Sequence, residues 1–158
     1  MQSTAPDYRR LAREAVDALR RNDNQLAQQN FERIVNAGVA DASVFAGLSI
    51  ACLRQGDHRA ALGAIDYALK SEPRNLHALI VKGDILSASG EMRAAVDFYQ
   101  VAVQSSPPPE QLPPELAREV ARATQACTQF ARDMESAMRG ELAAAGFGAD
   151  AMTPRCRE

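Results

Sequence analysis

Apolar positions in this chain return on a 34-residue step: Leu11, Phe45 and Leu79; Ala27, Ala61 and Ala95; Phe31, Ile65 and Tyr99; Ile34, Ala68 and Ala102. The punctuation between them keeps the same step, with Asn22, Gly56 and Gly90 at one offset and Pro73 and Pro107 at another. A period of that size predicts stacked helical units, each covering its neighbour's apolar face. Within a period the apolar residues recur at helical spacing and are interrupted at two regular points, so each unit is a pair of helices. In the second unit Phe45, Leu48 and Cys52 form one stripe, residues 54–57 make the turn, and Ala61, Ala64, Ile65, Ala68 and Leu69 form the answering stripe. Gly56 and Gly90 stand where a chain leaving a helix needs a left-handed residue, and Asn22 is the next most tolerant choice. Ala61 and Ala95 let the two helices approach closely, and enlarging Ala61 should overpack that crossing by roughly 1 to 3 kcal/mol.

The pattern changes after the third unit. Residues 107–114 read PPPEQLPP, and prolines at that density neither continue a helix nor pair in a sheet, so 108–114 is a stiff connector. Apolar residues then resume at Leu116, Val120, Ala123, Cys127, Phe130, Met134 and Ala137, with Met138 beside the last. Their alternating spacing of four and three predicts a heptad-type seam on one long helix, residues 115–145, about 40 Å in length. Residues 1–7 and 146–158 read as a flexible N-terminus and a tail.

The repeated residues resemble the tetratricopeptide repeat: a large apolar residue early in helix A, a small one at its middle, Gly at the turn, and Ala, aromatic, Ala and Pro along helix B. The second copy, 42–75, carries Phe45, Leu48, Gly56, Ala61, Ala68 and Pro73; the third, 76–107, carries Leu79, Gly83, Gly90, Ala95, Tyr99, Ala102 and Pro107. The first, 8–41, keeps Leu11, Ala15, Ala27 and Phe31 but has Asn22 at the turn and Val39 in place of the proline. Glu14 and Lys82 replace the usual leucine of helix A, which requires either snorkelling stems or a rotated helix. The resemblance implies an all-α, right-handed superhelix of three helix pairs plus the long C-terminal helix, with the A helices lining a concave groove.

Residues 44–53, VFAGLSIACL, are apolar almost all round, and such a helix is covered all round. Phe45, Leu48 and Cys52 pack within the repeat, leaving Ala46, Ile50 and Leu53 as a second stripe. The resemblance puts that stripe, with Val16, Ile80 and Val81, on the groove floor. Arg9, Arg13, Arg20 and Arg54 form the rim near the first two repeats, and His77, Asp84 and Ser87 the rim near the third. An amphipathic segment with an acidic end fits such a groove. The grip on a C-terminal carboxylate known in the family is disfavoured, because the corresponding faces carry Ala12, Val16, Gly47, Ile50, Ile80 and Val81. A second resemblance covers residues 8 to about 147: three repeats, the proline-rich connector, and an alanine-rich helix closing at AAAGF are similar to the N-terminal region of bacterial proteins that end in an aspartyl/asparaginyl β-hydroxylase domain. It implies an accessory or docking segment and passes no catalytic role to any residue here.

Composition narrows the chemistry further. The 158 residues carry a net charge of -2, with no clustered basic field of the kind nucleic acids require. Cys52, Cys127 and Cys156 are widely spaced, which disfavours a disulfide framework or a zinc site. The scattered glycines make no phosphate loop. His58 and His77 have no nucleophile arranged to meet them, and Glu135 with Arg139 is an i,i+4 pair on a solvated face. No catalytic residue, metal or cofactor is expected, nor is a membrane span. The sequence reads as a cytoplasmic, non-catalytic protein-interaction module, with self-association through the C-terminal helix as a further reading.

Overall fold

The computed structural model describes residues 7–145, and their regular structure is seven α-helices and one short turn of 3-10 helix. Helices α1 (Tyr8–Arg20) and α2 (Asn24–Asn36) form the first pair, α3 (Ala42–Arg54) and α4 (His58–Ser71) the second, and α5 (Leu76–Ala88) and α6 (Met92–Ser105) the third. The connector winds through the 3-10 turn Pro109–Gln111 before α7 (Pro114–Ala144). The expectations for residues 1–6 and for 146–158, Cys156 included, lie outside the described residues. Asp7, the last residue of the expected flexible start, caps α1 with its carboxylate, accepting from the Arg9 and Arg10 amides.

The helix ends repeat as faithfully as the core. Asp7, Asp41 and Asn75, 34 residues apart, each cap an A helix, and Asp23 and Asp57 cap B helices. Each satisfies backbone amides that the first helical turn leaves without partners. Two hydrogen bonds from Ser43 and Val44 hold the Asp41 carboxyl below its ordinary range. The turns between the paired helices are also copies: the amides of Asp23, Asp57 and Glu91 reach back to the carbonyls of Ala18, Cys52 and Leu86. That bond demands a left-handed residue just before it, which Asn22, Gly56 and Gly90 provide at φ 62, 80 and 85.

Packing follows the small residues. The buried hydroxyl of Ser49, at the small position of helix A, donates to the Ala61 carbonyl at 2.9 Å, and Ala15 and Gly83 hold the matching places. A side chain at Gly83 would run into the Tyr99 ring of its own unit, and one at Gly47 into the Phe31 ring of the preceding unit, so both aromatics sit where an A helix has no Cβ. Lys82 resolves the departure at its site by snorkelling: its ammonium lies 4.6 Å from the Phe98 ring centre and reaches Asp66 at 2.6 Å. Hydrogen bonds also tie each unit to the next, from Arg54 to the Leu19 carbonyl, from Gln55 to Gln28, and between His58 and Ser89.

The long helix stands where a fourth A helix would. It packs chiefly on α6 and secondarily on α5, as α3 packs on α2 and α1. Leu116, Val120, Ala126 and Cys127 join buried Ala123 in the cluster with Leu79, Ile80, Leu86 and Tyr99. A solenoid needs its last apolar face covered, and the first half of α7 covers it. At 31 residues and about 46 Å, α7 is more than twice the length of α5, so its second half projects past the array.

Candidate partner-binding surface

The A helices α1, α3 and α5 do not present one uniform trough. Three residues expected on its floor are sealed inside the stack: Ala46 is 3% exposed, Ile80 0% and Val81 4%. The cause differs for each side of α5. Val81 packs with Ala46, Cys52 and Ile65 in the cluster between the second and third units, whereas Ile80 belongs to the cluster that α7 closes. Gly47 is likewise buried, against Phe31. Helix α5 is apolar on two sides because it has neighbours on both. The expectation that Ala46, Ile80 and Val81 face an open groove is therefore corrected.

The polar rim at the third repeat is occupied as well. His77 Nδ1 meets Glu119 Oε2 at 2.9 Å, and Asp84 takes a two-point contact from Arg122, Nη1 to Oδ1 and Nη2 to Oδ2, each 2.8 Å. Tyr99 donates its hydroxyl to the same Asp84 carboxylate at 2.6 Å. Burial, then the hydrogen bond to that anion, pushes the Tyr99 phenol up to about 12, while the Asp84 contact raises Arg122 further above its ordinary value. These bonds span 42 and 38 residues and join the periodic part of the chain to the aperiodic part, so the 34-residue period carries no sign of them. The apolar run through Leu79, Ile80 and Val81 was the available signal that α5 is covered on both sides.

What stays open is the end formed by α1 and α3. An open depression of about 470 Å³ is lined by Ala12, Arg13, Val16, Asp17 and Arg20, with Val16 40% exposed. Helix α3 touches α1 directly, and Arg54 fixes the junction by donating to the Leu19 carbonyl at 2.7 Å. Ile50 and Leu53 of α3 are partly exposed and rest on the second unit's core. Arg9, Arg13, Arg20 and Arg54 are all exposed here, so this end combines aliphatic surface with four guanidinium groups. On the C-terminal helix, Leu116, Val120, Cys127 and Phe130 are partly buried and Ala123 fully, whereas Met134 and Met138 are 40% and 58% exposed.

The two described cysteines are poorly suited to nucleophilic chemistry. Cys52 and Cys127 are free, and burial pushes both thiols above their ordinary range, away from the reactive thiolate. No group of His, Cys, Asp and Glu side chains among the described residues is placed to hold a metal ion, and no described helix is long and apolar enough to cross a membrane.

Comparison with known proteins agrees with this geometry. The family model of the tetratricopeptide repeat matches residues 48–108. No curated protein matches the chain. Among solved structures, PcrH in complex with the chaperone binding region of PopB superposes with a TM-score of 0.66 at 16% identity, over 80% of this chain and 99% of that one. A T3SS complex from Aeromonas hydrophila gives 0.66 at 18% identity, over 81% of this chain and 83% of that one. The Sgt2 TPR domain from Aspergillus fumigatus gives 0.65 at 16% identity, over 98% and 89%. Likeness at such identities is likeness of fold, and it matches the order and packing of the helix pairs. Residues 48–108 thus match the tetratricopeptide-repeat family model, and the described helices share the fold of tetratricopeptide-repeat structures.

Proposed function

We propose that the chain is a non-catalytic interaction module that receives an amphipathic, acidic segment of a partner protein on the concave surface of α1 and α3. The observation that carries this reading is the uncovered depression on α1 around Val16, lined by Ala12, Arg13, Asp17 and Arg20, with Arg54 of α3 held next to it on the Leu19 carbonyl. The concave end at α5 is already engaged by α7, so a ligand is directed to the N-terminal units. Apolar anchors supply affinity in such a groove, and the arginines favour a partner rich in Asp and Glu. One protein of the same fold is seen in complex with a binding region of its partner, which supports recognition of a polypeptide segment by this architecture.

Ile50 and Leu53 also support the core, so replacing them confuses binding with folding. Arg13 and Val16 are exposed and provide the cleaner test. A protein captured by the wild-type chain should bind Val16→Asp and Arg13→Glu at least about tenfold more weakly, a loss of roughly 1.4 kcal/mol. Helix content and melting temperature should stay unchanged. Equal affinity of both variants would remove the α1 surface from the account.

A further inference from the structure

Beyond Phe130, α7 has no neighbour among the described residues: every residue from Ala131 to Ala144 is exposed, over about 21 Å of helix. The projecting part is nonetheless not polar all round. Met134, Met138 and Leu142 are 40%, 58% and 41% exposed and continue the line of Phe130 at a constant spacing of four. An isolated helix of this length is marginal in water, and a ridge of large apolar residues on it calls for a cover.

The pattern of the ridge indicates its cover. Phe130, Met134, Met138 and Leu142 are unchanged in spacing when the helix is reversed end for end. Ridges that follow every fourth residue interdigitate with each other in the commonest class of helix packing. The flanking charges share the symmetry: Glu135 and Arg139 lie either side of the midpoint and are paired within one helix, with side chains 63% and 74% exposed. We infer that the overhang is a self-association element through which two copies pair end for end. Phe130 then meets Leu142 of the second copy, Met134 meets Met138, and each Glu135 lies beside the other copy's Arg139. A two-fold contact of this kind is isologous and closes at the dimer. Its small area puts it among weak, concentration-dependent interfaces. It involves no residue of the α1 and α3 surface, so it stands or falls independently of partner binding.

The test is sedimentation of the full chain from about 5 to 500 µM, a range suited to a weak dimer. The wild type should rise from its monomer mass of 17.1 kDa towards twice that value. Met138→Glu should stay monomeric throughout with unchanged helix content and melting temperature. Glu135→Arg and Arg139→Glu should each weaken the dimer at least about tenfold. An equimolar mixture of those two variants should regain wild-type affinity, because one then supplies cations at both positions and the other anions. A wild type that remains monomeric, a dimer that survives Met138→Glu, single charge variants that associate like the wild type, or a mixture as weak as its components would each overturn the inference.

Discussion

Small residues at repeated positions set the geometry, and the glycines separate two opposite effects. Adding a methyl group in a helix ordinarily gains about 0.5 to 1 kcal/mol by restricting the unfolded chain. Gly63→Ala on α4, where a Cβ meets nothing, should show that gain. At Gly47 the added carbon runs into the Phe31 ring, which is 2% exposed and has no room to yield, so Gly47→Ala should instead lose roughly 1 to 3 kcal/mol. Urea unfolding of the two variants checks the opposite signs. Tyr99 adds a dependence on pH. Its phenol titrates near 10 in the unfolded chain and near 12 in the fold, so the folded state holds the proton more tightly. The stability this contributes is complete below about pH 10 and is lost as the pH climbs towards 12. Urea melts between those limits should fall more steeply for the wild type than for Tyr99→Phe.

Among the elements, the sequence was legible where the period operates. Turn residues, small positions and the helix B stripe all follow from the 34-residue step, because each unit repeats the same local problem of closing a turn and packing two helices. The caps at Asp7, Asp41 and Asn75 obey the same step and were visible to anyone asking which side chains satisfy the first amides of each A helix. Exposure was less legible. Ile80 and Val81 were expected in the open because a repeat read by itself has neighbours on one side only, whereas α5 lies between the second unit and α7. The boundary inside α7, between cap and overhang, depends on how long its support is. A chain ended after Ala131 should keep the cap and melt within about 3 °C of the full chain, since the described residues it loses, 132–145, are all exposed. Removing residues 115–158 uncovers Ile80, Leu79 and Leu86 and should give an aggregating array. A monomeric, equally heat-stable product would show that α7 is not a cap.

At the scale of the molecule, the array is asymmetric along its axis. Its N-terminal end is strongly one-sided, with the apolar face of α1 turned inward on Leu11, Ala15 and Ala18 and its arginines turned out. The other end is closed by a helix of the same chain, held by the His77 and Asp84 contacts. The central proposal is that a partner binds the exposed faces of α1 and α3, on the first two units. Amide hydrogen exchange of the complex with a captured partner tests it most directly. New protection should fall on the exposed faces of α1 and α3, through residues 9–20 and 46–54, with the outward faces of α4 and α6 unchanged. Protection confined to those outward faces, or to α7 beyond Phe130, would contradict it.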